Sequence, residues 1–348
     1  MSAVRTGLRR ALGAAPAKLL GWAVALRNRR YARPGGAWRA GVPVLSVGNL
    51  AVGGTGKTPM VLWLCSALLD DGRRPAVITR GYGGSAGRGP LWVSRGAGPL
   101  VDARDGGDEP VMLARALAGV RIVAGSDRRA GALAAIAAGS DVVVLDDGFQ
   151  HRRVARDLDI VLVDGRDPFA GGRLLPAGDL REPPGALARA DIVVLSGLRH
   201  DDPAEAARVA IARVAPRAAV MSAGRELRGF ADAAGAAQPA PRRAVAFCAI
   251  AHPERFRSDL ASLGIEIVAF RAFRDHHRFR PAELHELQRA AASCDAALVT
   301  TEKDLARMDD RNAGVPLQRL LTLVMRAAVH DADALLGRVR RALAESGR

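Results

Sequence analysis

From Val42 onward, short runs of β-branched and leucine residues alternate with longer stretches rich in alanine and leucine. This is the pattern of βα units that build a parallel sheet. The apolar runs predict strands at 42–47, 76–79, 121–124, 142–145, 160–163 and 192–195. Most are continuous rather than alternating, as expected of strands covered on both faces. Helices are expected between them, among them 58–69 and 127–138, which run into Gly72 and Gly139, residues suited to a left-handed helix end. Residues 230–243, rich in Ala, Gly and Pro, read as a linker or hinge. Beyond them the cycle restarts, with strands at 244–250, 265–270, 296–300 and 320–325 and helices at 253–263, 281–292 and 331–344. The expected organisation is therefore a core α/β domain at 41–229 and a smaller α/β domain at 244–348 that closes over a site on the first.

Residues 1–40 have a different pattern. Leu8, Leu12, Leu19, Trp22 and Leu26 recur near one face of a helix, among nine Lys and Arg residues and no acid. The longest apolar run there, 19–26, is eight residues, against the ~20 that a bilayer-spanning helix needs. The segment is expected to lie on an anionic membrane surface, with packing on its own domain as the alternative. A signal peptide is disfavoured, because Pro16 and Lys18 interrupt the apolar stretch and further arginines follow it.

Composition narrows the class. With 49% hydrophobic and 25% charged residues over 348 positions, the chain is neither disordered nor fibrous. Its three cysteines have no CxxC spacing, so neither a disulfide framework nor a structural zinc site is indicated. The net charge of +15 would suit nucleic acid, but aromatic residues make up only 4% and no base-stacking run occurs.

The strongest local signal follows the first strand, where Ala51-Val52-Gly53-Gly54-Thr55-Gly56-Lys57-Thr58 reads as a P-loop with Ala in the first glycine position. The glycines let backbone N–H groups surround phosphate oxygens, Lys57 reaches the β- and γ-phosphates of ATP, and the Thr58 hydroxyl ligates Mg²⁺. Asp146 and Asp147 end the apolar run 142–145, a Walker-B-like arrangement that supplies carboxylates for the metal. The fold class is then a P-loop NTPase-type, mostly parallel sheet with helices on both faces. Thr301-Glu302-Lys303-Asp304 follows a strand as a GTPase base-recognition motif would, but Thr-Glu replaces Asn, so no base recognition is assigned. On these residues alone a kinase, a nucleotide-dependent chaperone acting on a soluble substrate, and a membrane-bound nucleotide switch all remain open.

Further blocks carry a resemblance. They are Thr79-Arg80-Gly81-Tyr82-Gly83, Gly107-Asp108-Glu109-Pro110, Gly125-Ser126-Asp127-Arg128, Asp146-Asp147-Gly148-Phe149-Gln150-His151, the run from Leu174 to Pro183, Asp275-His276 and Thr301-Glu302-Lys303-Asp304. In this order, and with the P-loop, they resemble the tetraacyldisaccharide 4'-kinase family over about residues 42–310. The resemblance implies transfer of the γ-phosphate of ATP, with Mg²⁺, to the 4'-hydroxyl of a lipid disaccharide 1-phosphate at the cytoplasmic face of the inner membrane, with no nucleic acid and no protein partner. It also implies an Asp–His pair at Asp108 and His276 that accepts the hydroxyl proton, with His277 second in rank. That pair would meet only if the second domain folds against the first. Arg80, Tyr82, Glu109, Arg128, Gln150, His151 and Glu182 are the expected contacts to phosphates and head group.

Overall fold

The computed structural model describes residues 14–33, 35–198, 203–308, 315 and 317–346. In chain order its elements are α1 (Ala14–Tyr31), β1 (Val44–Asn49), α2 (Lys57–Asp70), β2 (Pro75–Thr79), β3 (Leu91–Arg95), α3 (Ala103–Gly106), α4 (Asp108–Ala116), β4 (Arg121–Ala124), α5 (Arg128–Ala137), β5 (Val142–Asp146), β6 (Leu158–Asp164) and β7 (Ile192–Ser196). There follow α6 (Glu205–Val214), β8 (Ala219–Ala231), β9 (Ala237–Gln238), β10 (Arg243–Cys248), α7 (Pro253–Ser262), β11 (Glu266–Ala272), α8 (Pro281–Ser293), β12 (Ala297–Thr301), α9 (Glu302–Ala306), β13 (Leu320–Val329) and α10 (Ala332–Ser346).

The described residues pack as two compact units. One draws on Met1–Thr79, Arg128–Arg225 and Ala327–Arg348, the other on Arg80–Asp127 and Glu226–Arg326. The division expected at 230–243 cuts the chain once, whereas the packing crosses it several times. In the second unit α4 packs on α9, nearly 200 residues away in sequence. In the first, Arg340 of α10 returns to Asp71 just after α2 with two bonds of 2.8 Å. Contacts of that range leave no mark on local periodicity.

In the first unit the strands run β8–β7–β6–β1–β5–β2 with every neighbouring pair parallel. β1, β2 and β5 are buried along their whole length, as their continuous apolar runs require. α2 ends as expected. Gly72 takes φ 71°, Gly72 N donates to Leu69 O at 2.9 Å and Arg73 N to Leu68 O at 2.9 Å, satisfying carbonyls of the last turn. Gly139, after α5, is left-handed too, with φ 92°.

α1 belongs to this unit and presents two faces. Ala17 and Val24 are buried, and Gly21 sits so close to Leu174 that an added Cβ would stand 3.0 Å from its Cδ1. Leu19, Trp22 and Leu26, spaced three and four apart, are 66%, 66% and 55% exposed. The helix is held by Glu182, which is wholly buried and accepts from Arg27, from Asn28 Nδ2 at 3.4 Å and from Arg189 Nη2 at 2.6 Å. Packing and exposure, set against each other in the sequence reading, thus occur on opposite sides of one helix. Arg5, Leu8, Arg9, Arg10 and Leu12 lie outside the described residues.

The second unit holds the parallel strands β11–β10–β12–β13 and the antiparallel pair β3–β4. Phe247, Leu284, Leu287 and Leu298 form one core cluster, and Ala246, Phe256, Leu260 and Val299 another. Residues 230–243, expected as a linker, instead begin with a hairpin. β8 pairs with β9 through Phe230↔Gln238, and Asp232 closes the turn by accepting from Ala234 N at 3.0 Å and Ala236 N at 2.9 Å. β8 escaped the periodicity because Arg225, Glu226 and Arg228 interrupt its apolar positions and much of it is only half buried.

Candidate active site

Backbone geometry prepares the P-loop for phosphate. β1 lies between β5 and β6, and the chain turns through 50–56 before α2 begins at Lys57. The start of the loop is held from outside, with Val52 N donating to Asp179 O at 2.8 Å and Arg181 N to Leu50 O at 2.9 Å. Asn49 Nδ2 donates to Thr55 Oγ1 at 3.1 Å. Gly56 caps α2 in the left-handed region at φ 82°, no side chain accepts from the first-turn N–H groups, and no acid occupies that turn. Those amides and the positive end of the helix dipole are left for an anionic ligand.

The two acids of the Walker-B-like motif have different surroundings. Asp146 stands in register with Val47 of β1, and its Oδ2 accepts from Thr79 Oγ1 at 3.1 Å. Arg128, 3% exposed, donates through Nη1 to Ile78 O at 2.9 Å and Asp146 O at 2.6 Å, bracing the ends of β2 and β5. Asp147 turns the chain with φ 51°, and Arg181 Nη1 donates to its two oxygens at 2.9 and 2.7 Å, with Lys57 Nζ at 3.7 Å from Oδ1. Burial works against the charge on Asp147, but Lys57 and then Arg181 outweigh it and hold the carboxyl below the usual carboxylate range. The turn lies directly on β1, because a Cβ at Gly48 would stand 2.6 Å from Phe149 Cβ.

A second cluster forms in the other unit. Asp108 opens α4, and its Oδ2 accepts from Arg307 Nε at 2.7 Å and lies 2.9 Å from His276 Nδ1. Burial pushes the Asp108 carboxyl up, but the charge and hydrogen bond of Arg307, aided by His276, bring it below its ordinary value. His276 adopts φ 61°, unusual for a residue with a Cβ and a mark of strain at functional positions. Its backbone N–H bonds to Asp275 Oδ1 at 2.9 Å and Ala249 O at 3.2 Å, and the Tyr82 ring meets the imidazole edge-on with centroids 5.9 Å apart. In the neutral ring, a carboxylate facing Nδ1 favours the proton on that nitrogen and leaves a lone pair on Nε2. The sequence reading required two separate domains to meet for this pair. Asp108 and His276 instead lie in one unit, because Arg80–Asp127 packs with Glu226–Arg326.

The remaining expected residues fall into distinct places. His277 is engaged elsewhere, stacked on Phe273 at 4.8 Å and bonded through Nε2 to Glu283 at 2.8 Å. Burial opposes the Glu283 charge, yet hydrogen bonds from Arg280 and His277 bring its carboxyl down to about 2. Glu109 pairs with Lys303 at 3.4 Å, while Arg80 and Tyr82 are exposed. Gln150 Nε2 donates to Asn49 O at 2.8 Å, which sets it beside the P-loop. His151 N donates to Gly148 O at 2.8 Å, and its carbonyl accepts from Arg156. Glu182 and Arg128, expected to meet substrate, are buried on protein groups and brace the first unit. Sequence reasoning missed Arg181 and Arg307. Arg181 lies inside a quoted block, and Arg307 follows Asp304 by three residues, the spacing of partners on one helix face.

A family model described as tetraacyldisaccharide-1-P 4'-kinase matches residues 10–344. The chain belongs to this family. A tetraacyldisaccharide 4'-kinase of Anaeromyxobacter dehalogenans strain 2CP-C is 45% identical over 329 residues, covering 90% of this chain and 84% of the relative. One of Syntrophus aciditrophicus is 45% identical over 282 residues, covering 75% and 74%. Among solved structures, LpxK of Aquifex aeolicus in complex with ATP superposes with a TM-score of 0.77 at 31% identity, covering 97% of this chain and 99% of that one. The family is one of kinases, and the likeness bears out the P-loop NTPase-type, mostly parallel fold with helices.

Proposed function

We propose that this chain transfers the γ-phosphate of ATP to the 4'-hydroxyl of a tetraacyldisaccharide 1-phosphate, giving lipid IVA in lipid A biosynthesis. The observation that carries the reading is the Asp108–His276 pair at 2.9 Å in a chain whose P-loop leaves its helix N-terminus open to phosphate. Lys57, held 3.7 Å from Asp147, has the reach to bind the β- and γ-phosphates, and Arg181 remains on Asp147 to balance its charge. Thr58, Asp146 and Asp147 offer a hydroxyl and two carboxylates, the hard oxygen donors that suit Mg²⁺ alongside phosphate oxygens. Held by these residues, the ion would supply charge neutralisation to the phosphates.

His276 Nε2 takes the 4'-hydroxyl proton as that oxygen bonds to the γ-phosphorus and the bond to the β–γ bridging oxygen breaks, releasing ADP. Asp108, on Nδ1–H, stabilises the imidazolium so formed. Tyr82, exposed and edge-on to the His276 ring, and exposed Arg80 are offered to the head group. The test is incubation with Mg·ATP and tetraacyldisaccharide 1-phosphate in detergent, followed by mass spectrometry of the lipid. One phosphate added on the non-reducing sugar is expected, and ATP turnover that leaves the lipid unchanged would refute the reading.

The acyl chains of such a substrate lie in a bilayer, and the exposed row Leu19, Trp22 and Leu26 beside Lys18, Arg29 and Arg30 supports docking on the anionic, ATP-facing leaflet. No described helix is long and apolar enough to cross a membrane. Replacing the three apolar residues together by serine will weaken co-sedimentation with anionic vesicles about tenfold or more, since each buried apolar side chain contributes on the order of 1 kcal/mol or more. Binding unchanged by that triple replacement would remove α1 from the membrane contact.

A further inference from the structure

The Thr301-Glu302-Lys303-Asp304 block follows a strand as a nucleotide-base motif would, and the structure puts it to a different use. Thr301 caps α9, accepting from Asp304 N at 3.1 Å and donating through Oγ1 to Asp304 Oδ2 at 2.6 Å. Asp304, wholly buried, takes its remaining bonds at Oδ1, from Ala249 N at 3.1 Å and Arg307 Nη1 at 2.8 Å. The Arg307 side chain is 1% exposed. Its guanidinium meets five neighbours: Nη1 donates to Asp304 and to Ala249 O, Nε donates to Asp108 Oδ2 at 2.7 Å, and Nη2 lies 3.3 Å from His276 Nδ1 and 3.8 Å from Asp275 Oδ1.

Three features of this arrangement exceed what packing α9 would need. Arg307 Nε and His276 Nδ1 converge on the same oxygen of Asp108, so the guanidinium fixes the atom that orients the imidazole. Ala249 O accepts both from Arg307 and from the backbone N–H of His276, so the left-handed residue 276 and the arginine share one anchor. With the ring proton on Nδ1, the Nη2–Nδ1 approach joins two donors and sets a fixed positive charge against the ring edge rather than a hydrogen bond. The other charged or titratable groups facing the ring are Asp275 on its own loop, 3.9 Å from Nε2, and Tyr82; the Lys303–Glu109 pair flanks Asp108 from α9 and α4.

We propose that Arg307, held through Asp304 by the 301–304 block, is a positioning residue that locks the Asp108 carboxylate onto His276 Nδ1 and so aims the ring to accept the hydroxyl proton. This rests on the base assignment made above. Removing the guanidinium leaves His276 as the sole cationic partner Asp108 can have, and the pair then takes up its proton at higher pH.

The experiment measures kcat and KM for ATP and lipid across pH for the full chain and for His276→Ala, Arg307→Gln and Arg307→Lys, with the Arg307→Lys/His276→Ala double variant. His276→Ala is expected to remove the acid limb of kcat/KM. Arg307→Gln is expected to lower kcat roughly tenfold to a hundredfold, leave the KM for ATP within about twofold, and move the acid limb up by about one pH unit. Arg307→Lys keeps a charge but loses the fork, so the limb stays near its original pH while kcat falls. The double variant is expected to be no slower than His276→Ala alone, because Arg307 acts through the ring. If His276→Ala loses the limb but Arg307→Gln leaves it in place, or if the double variant multiplies the two losses, the Arg307 proposal fails and the base assignment stands. If His276→Ala retains the limb, the base assignment itself fails. Where Arg307→Gln does not fold, Arg307→Lys and the double variant decide alone.

Discussion

Lipid phosphorylation by Lys57→Ala will be about 10³-fold slower than by the parent chain, the scale seen when one preorganised donor to a developing charge is removed. The Lys57 ammonium faces Asp147 alongside Arg181, and it lies at the first residue of α2, where the helix amides also converge. Removing it takes away this positive charge while leaving Arg181 on Asp147 at 2.7 Å, so the fold of the loop survives. The loss should therefore appear in the transfer step and in ATP affinity, with the melting temperature changed little. Single-turnover transfer from labelled ATP, read beside a thermal melt, separates the two. A variant that keeps more than about a tenth of the parent rate would show that Lys57 is not aimed at the transferred phosphoryl group.

Asp108→Asn will cut kcat by about 10³-fold with the KM for ATP nearly constant, because a neutral amide oxygen in place of the carboxylate no longer stabilises the imidazolium that forms on His276. The substitution keeps the shape of the side chain but removes the charge that faces Arg307 at 2.7 Å. A pH signature accompanies it. The folded Asp108 carboxyl lies below its ordinary value, so its ionised form contributes stability at neutral pH that disappears as the pH falls through the lowered value. Asp108→Asn should flatten that part of the acid-side decline in melting temperature. A variant whose decline on the acid side matches the parent would mean that the Asp108 ion pair does not stabilise the fold.

Much of this protein is legible one segment at a time. The continuous apolar runs of β1, β2 and β5, the glycine-ended α2 and α5, and the P-loop between β1 and α2 follow from local sequence, because each depends on residues within a turn or two of one another. The exposed row of α1 follows in the same way from spacings of three and four. β8 and its hairpin did not, since charged residues on a half-exposed strand erase the alternation that periodicity relies on.

The pairing of Asp108 with His276 is 168 residues long in sequence, and that of Asp108 with Arg307 is 199. Resemblance to a family named the first pair, but neither composition nor spacing could say that Arg80–Asp127 leaves the P-loop stretch to pack with Glu226–Arg326. Nor could they tell that Glu182 and Arg128 turn inward while Tyr82 stays out, because an isolated charged residue in a loop reads the same whether its partner is water or a buried guanidinium. Local sequence thus determined the apolar strands of the first unit, the glycine-closed helix ends and the phosphate loop, through steric and hydrophobic rules that act over a few residues. The tertiary structure decided which charges are buried together, because desolvation makes a charge seek a partner wherever the fold brings one within hydrogen-bond reach.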